Sequence, residues 1–261
     1  MLKIRIIPCM LFNGIGLVKT IGFSQQRNLG NAVQAARVYN NRNDDELFFI
    51  DITATKERRG PMYDVISDIV QECFMPLTIG GGIHSLDDIS QLLRIGADKV
   101  SLNSEPLRNP DFVNEAAKKF GSQCIVISID AKKINNEHFV FLDRGSVKTV
   151  RTVLEWSRDV EARGAGEILL TSIDKDGTMS GYDVDLIRSV ASEVSIPVIA
   201  CGGAGKIQDV IDVVKKGNAS AASLSSMLHY SGHTSNSIKA RMHELDIPVR
   251  NVSSDLLVNL P

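Results

Sequence analysis

Shifting the 261-residue chain by 121 positions lays it on itself: Gly60 falls on Gly181, Gly81-Gly82 on Gly202-Gly203, Asp88 on Asp209, and Ser104 on Ser225. The same offset maps Glu46 onto Glu167 and Gly96-Ala97 onto Gly217-Asn218. A gapless repeat of this length means that one supersecondary plan is used twice. Short apolar runs recur through both halves: Ile4 to Cys9, Leu47 to Asp51, Leu77 to Ile79, Lys99 to Leu102, Cys124 to Asp130, Glu167 to Thr171, Val198 to Cys201, and Ala219 to Leu224. The stretches between them, such as Asp64 to Cys73, Leu86 to Ile95, Thr152 to Arg163 and Ile207 to Lys216, carry apolar residues at helical spacing. Alternation of this kind specifies a parallel sheet. Two four-stranded halves related by rotation close naturally as an eight-stranded barrel, whereas an open doubly wound sheet would leave duplicated halves with unlike edges. We therefore expect an α/β chain folded as a (β/α)8 TIM barrel made of two duplicated half-barrels. It forms a single domain over residues 1–261, with halves at approximately 1–121 and 122–245 and a C-terminal tail at 246–261.

Composition agrees with one large core, since 43% of residues are hydrophobic. The 29 basic and 31 acidic residues form no long single-sign block, which argues against nucleic acid or a membrane surface as partner. Lys3 and Arg5 interrupt the first apolar run, and no run reaches membrane-spanning length, so a cytoplasmic protein is expected. Cys9, Cys73, Cys124 and Cys201 form no CxxC pair and read as buried thiols. The histidines at 84, 138, 229, 233 and 243 show no metal-ligand spacing, and neither a metal nor another cofactor is called for. Trp156 reads as helix packing.

The chemistry concentrates at strand ends. Gly81 and Gly82 follow the third strand and Gly202 and Gly203 the seventh; without side chains, their backbone N–H groups can approach an anion closely. The next strand of each half ends in a small polar pair, Asn103-Ser104 and Ser225-Ser226, able to add donors to the same oxyanion. Glycine relieving crowding at a strand-to-helix turn is the competing reading, and the paired placement favours two phosphate cradles. Asp130 ends Ile125-Val-Ile-Ser-Ile-Asp130 at the face where barrel enzymes place their chemistry, as a carboxylate able to exchange protons with substrate. A solvated strand end, or a tie to Lys132 or Lys133, is the alternative. Asp51 and Asp176 could share its rim, Asp176 equally well as a turn residue. Arg5, Glu46, Lys99 and Glu167 stand at the starts of their strands, where the barrel would gather them into a balanced charge ring at the N-terminal mouth.

These residues resemble a known family, the HisF-type cyclase subunit of imidazole glycerol phosphate synthase. The resemblance runs through Arg5-Ile-Ile-Pro-Cys9, Phe49-Ile-Asp-Ile-Thr-Ala54, Ile79-Gly-Gly-Gly-Ile-His84, Gly96-Ala-Asp-Lys-Val-Ser101, Ile129-Asp-Ala-Lys-Lys133, Gly164 to Asp174, Asp176-Gly-Thr178, Ser180-Gly-Tyr-Asp183 and Cys201-Gly-Gly-Ala-Gly-Lys206. It implies a barrel that takes ammonia from a glutaminase subunit, docked as a heterodimer at the N-terminal mouth, and uses it on a bisphosphorylated ribulosyl aminoimidazole. Arg5, Glu46, Lys99 and Glu167 would form the ammonia gate and Asp98 a partner contact. Asp130 and Lys19 would be catalytic. The phosphates would lie on Gly81, Gly82, Asn103 and Ser104 in one half, and on Asp176, Gly177, Gly202, Gly203 and Ser225 in the other. The chain departs from the family at Leu11, where an aspartate normally accompanies the Asp130 equivalent. Losing one such group commonly costs about two to four orders of magnitude in rate. Gly30-Asn-Ala32 replaces a usual Gly-Asp-Pro, and Leu224 stands where small residues normally flank the second phosphate. Ile6-Ile-Pro-Cys-Met-Leu-Phe12 followed by Gly16-Leu-Val-Lys-Thr20 is similar to the cyclase-like subunits of surface-polysaccharide (lipopolysaccharide) pathways. That likeness implies ammonia passed to a sugar amidotransferase that forms an amidino sugar. A lyase subunit, a delivery subunit and an inactive phosphate-binding module are thus the three functional readings. A sugar-phosphate isomerase barrel is disfavoured, because Leu11 removes the second carboxylate that it would need.

Overall fold

The computed structural model describes residues 3–42 and 44–251. The first half contributes β1 (Arg5–Phe12), β2 (Leu17–Lys19), β3 (Arg27–Gly30), α1 (Ala32–Asn41), β4 (Leu47–Asp51), α2 (Tyr63–Glu72), β5 (Leu77–Gly80), α3 (Leu86–Ile95), β6 (Lys99–Leu102), α4 (Ser104–Arg108) and α5 (Asp111–Phe120). The second contributes β7 (Ile125–Ile134), β8 (Glu137–Leu142), β9 (Val147–Thr152), α6 (Val153–Ala162), β10 (Glu167–Ser172), α7 (Val184–Ala191), β11 (Val198–Cys201), α8 (Ile207–Lys215), β12 (Ala221–Leu224), α9 (Ser226–Tyr230) and α10 (Ser235–Glu244). The parallel strands run in the order β1, β4, β5, β6, β7, β10, β11, β12, and β12 pairs back onto β1, with Arg5 beside Ala221 and Pro8 beside Leu224. The barrel is therefore closed, with all eight expected strands in their places. Beyond α10 the chain returns to the barrel bottom, where Ile4 bridges Val249. Of the expected tail at 246–261, residues 252–261 lie outside the described residues.

Alternation along each strand sorts side chains into two cores. Ile7, Phe48, Val126, Leu169, Ile199 and Ala221 point inward and fill the barrel axis. Their neighbours, such as Ile6, Phe49, Ile127 and Leu170, point outward and are covered by the helices, which turn Ile89, Leu92, Trp156 and Val210 toward the sheet. The repeat has a structural cause at several points. Asp88 and Asp209 cap equivalent helices, accepting from the Ser85 and Lys206 backbone N–H groups at 3.0 Å each. Gly60 packs on Gly82, and Gly181 on Gly203, too closely for a Cβ on the second glycine of either pair.

Two antiparallel additions fall outside the strands expected from sequence. β2 folds back on β1, with Leu11 opposite Val18, and β3 follows it. β7 runs on past the barrel and carries β8 and then β9. Both additions rise from the C-terminal mouth and build up its wall.

Candidate active site

At the C-terminal mouth the strand ends enclose a cavity of about 400 Å³. All nine expected phosphate-binding residues line it, as do Asp130 and Leu11. Gly81 follows β5 with φ of 100°, and a Cβ there would run into the Asp51 carbonyl; Gly203, at φ 110°, would collide with the Gly181 carbonyl. Backbone crowding therefore requires glycine at these positions, and both turns line the cavity. α4 and α9 start at Ser104 and Ser226, directly behind the two glycine turns. The two halves thus bring equivalent glycine turns and helix starts to one chamber.

Asp130 stands between them. Asn103 Nδ2 donates to its Oδ2 at 2.9 Å, so one of the two amide N–H groups is committed to the carboxylate. Burial pushes the Asp130 carboxyl up to about 7; the Asn103 hydrogen bond opposes this and the nearby Asp176 charge adds to it. A carboxyl in that range can both take and give a proton near neutral pH. No tie to Lys132 or Lys133 is needed to account for it. Asp176 is raised by burial too, and its carboxylate is engaged by the segment that follows β2. Its Oδ2 accepts from Thr20 Oγ1 at 2.7 Å and from the Phe23 N–H at 3.1 Å, fastening the segment after β2 to the cavity rim. Asp51 is likewise engaged, bound by Arg59 Nη1 at 2.6 Å.

At the opposite mouth the four strand-start charges meet in a closed ring. Arg5 Nη1 lies 2.6 Å from Glu46 and 3.1 Å from Glu167, and Lys99 Nζ lies 3.1 Å from each of the same two carboxylates. Thr78 Oγ1 donates to Glu46 Oε1 at 2.8 Å. Between this ring and the cavity floor stands the apolar layer of Ile7, Phe48, Val126 and Ile199. Asp98, exposed on the same face, accepts from the Leu77 N–H at 2.8 Å and so fixes the start of β5.

Residues 5–234 match the family described as histidine biosynthesis protein. The chain belongs to that family. It is 44% identical over 254 residues to a protein of Nostoc sp. (strain PCC 7120 / SAG 25.82 / UTEX 2576) named imidazole glycerol phosphate synthase subunit HisF, an alignment covering 96% of this chain and 98% of the relative. The resemblance drawn from the sequence motifs is thereby borne out.

Within this histidine biosynthesis barrel, Lys19 is the one expected catalytic residue away from the cavity. It is 4% exposed, and its Nζ donates to the Cys9 carbonyl at 3.2 Å on β1. Burial lowers its amine to about 8. Leu224 also differs from expectation. Rather than intruding on the second cradle, its side chain is turned into the outer core by the alternation along β12, and the inward neighbour Ser223 faces the chamber instead. The structure adds a ring of small hydroxyls on the cavity floor, Ser101, Ser128, Thr171 and Ser223, that the sequence motifs do not single out. Their signal is the two-residue period of the strands, since Ser128 is two before Asp130 and Thr171 four after Glu167. Cys9 and Cys201 share that floor, with burial pushing their thiols up to about 12 and about 11, so both remain protonated.

Among the described residues no helix is long and apolar enough to cross a membrane.

Proposed function

We propose that the chain is a HisF-like cyclase-type lyase subunit that receives ammonia from a glutaminase partner at the charge ring and uses it on a bisphosphorylated substrate at the far mouth. The observation that carries this reading is the arrangement of one cavity, two equivalent glycine turns and Asp130 at one end of a closed barrel whose other end bears the four-residue charge ring. The name of the Nostoc relative points the same way. The ring of Arg5, Glu46, Lys99 and Glu167 is the gate, and Asp98 beside it meets the partner, forming a heterodimer. The apolar layer behind the ring admits neutral ammonia, while an ammonium ion there would face the desolvation cost of an unpaired buried charge. Gly81, Gly82, Asn103 and Ser104 hold one phosphate. Gly177, Gly202, Gly203 and Ser225 hold the other, with Asp176 fixing the segment that covers it. The carboxyl of Asp130 relays protons as the ring closes, and the buried amine of Lys19 supplies a positive charge or proton beside the second cradle. Sedimentation of the purified chain with a histidine-pathway glutaminase tests the partner. A one-to-one complex that raises glutamine hydrolysis and is lost in Asp98→Lys is expected; no association would contradict the reading.

A second reading draws on Leu11, which lines the cavity as an apolar side chain where the resemblance to the cyclase subunits implies an aspartate. In that reading the gate and partner are the same, but the ammonia goes on to a sugar amidotransferase. The acceptor alone separates the two.

A further inference from the structure

The amine of Lys19 and the start of α9 are joined through one atom. The Cys9 carbonyl accepts from Lys19 Nζ at 3.2 Å and from Ser225 Oγ at 2.7 Å. Ser225 leads into α9, and one helical turn further on stands His229, whose Nε2 is 3.1 Å from the Tyr39 hydroxyl. The two rings meet edge to face with centroids 6.3 Å apart. Tyr39 is 3% exposed and belongs to α1, which is capped by Asn31 immediately after the β2–β3 hairpin that carries Lys19. The Tyr39–His229 contact thus ties α1, which follows the hairpin of Lys19, to α9, into which Ser225 leads.

The repeat sharpens the comparison. The 121-residue shift places Arg108 on His229, each four residues beyond the serine of its own half. Arg108 lines the cavity and pairs with Asp143 at 3.1 Å. His229 is turned the other way, onto Tyr39, so among the described residues the second half has no cation at the equivalent rim position. We propose that Tyr39 and His229 are positioning residues that hold the Lys19 amine against the Cys9 carbonyl beside Ser225, so that the second cradle draws its positive charge from beneath. This rests on the cyclase-type reading of the cavity for its catalytic consequence, but the positioning itself does not need a substrate.

The electrostatic surroundings agree. Lys19 faces Cys9, Asp176, Cys201 and His229, and burial is the largest influence drawing its amine down. His229 faces Lys19 and Arg42, and burial with those two charges takes its imidazole down to about 4. Tyr39 faces Asp44, Arg42 and Cys9, and burial keeps its phenol neutral. At neutral pH the imidazole is an uncharged partner for the hydroxyl, and it places no competing cation next to the amine.

The test is the titration of Lys19 in the full chain, followed by NMR of carbon-labelled lysine and assigned through the resonance missing from Lys19→Arg. Tyr39→Phe and His229→Leu are expected to move the Lys19 midpoint by about half a pH unit or more. They should also lower ammonia-dependent kcat by roughly ten- to a hundredfold, with KM changed less than about twofold. His229→Gln, which keeps a hydrogen-bonding group of similar reach, is expected to stay near wild type in both. An unchanged Lys19 midpoint in Tyr39→Phe and His229→Leu would overturn the proposal, even if kcat fell. So would a His229→Gln protein as impaired as His229→Leu, since packing would then explain the loss. Should the wild type show no turnover at all, the cyclase-type reading fails while the titration still decides the positioning.

Discussion

Asp130→Asn is expected to make the protein more stable while removing its chemistry. The ordinary carboxyl value of 3.8 is raised to about 7 in the folded chain, first by burial. A gap of that size corresponds to about 4 kcal/mol between ionised and neutral forms. Asp130 is partly open to the cavity, and water there screens part of the cost, which leaves about 2 kcal/mol. The sign follows from proton counting. Because the folded value lies above the unfolded one, the folded state holds the extra proton between roughly pH 4 and pH 7, and wild-type stability falls as pH rises through that window. The variant has nothing to ionise, and the introduced amide carbonyl still accepts from Asn103. Denaturant midpoints for the two proteins should nearly coincide near pH 4, with the variant ahead by about 2 kcal/mol at pH 8. Cyclisation should fall by about two to four orders of magnitude in the same variant. A stability difference that does not change with pH, or a less stable variant at pH 8, would refute the assignment of a raised carboxyl at this position.

Leu11→Asp restores a second carboxylate to the cavity wall and is expected to raise ammonia-dependent cyclisation by about a hundredfold, read by product formation; no gain in the folded variant would count against the role assigned to Leu11. Gly203→Ala meets both a left-handed backbone and the Gly181 carbonyl, and should lose about 3 kcal/mol in denaturant unfolding together with affinity for inorganic phosphate. Glu46→Gln leaves Arg5 and Lys99 with one carboxylate between them. It should cost about 2 kcal/mol of stability, and glutamine-driven turnover should fall more than turnover with added ammonium.

The barrel itself is legible in the sequence because closure depends on coarse features: eight apolar runs, helical spacing between them, and a repeat that leaves no unlike edges. Finer features need coordinates. The first strand is expected to end at Cys9, but it continues through the apolar Met10-Leu11-Phe12, where β2 folds back on its last residues. The β7–β8 hairpin does have a local signal: Asn135 and Asn136 both take positive φ, 49° and 68°, as a two-residue turn between twisted strands requires. β9 offers little to read, since Val147-Lys-Thr-Val-Arg-Thr152 is half-exposed and carries charge. The two turns at the cavity are marked by their glycines, although crowding by Asp51 and Gly181 is the immediate reason for them. Leu224 misleads because composition at a strand end says nothing about which face a side chain takes, and strand register decides that. Lys19 is pointed to by resemblance, and its separation from the cavity depends on a hairpin that no periodicity announces.

Ring closure on a bisphosphorylated substrate with ammonia is the chemistry proposed for this cavity. The most direct measurement is to incubate the purified chain with the bisphosphorylated ribulosyl aminoimidazole and excess ammonium at about pH 8.5, following imidazole glycerol phosphate by NMR. Saturable product formation that disappears in Asp130→Asn is predicted. Tight substrate binding without product would contradict the claim and leave ammonia delivery to another acceptor as the function of this barrel.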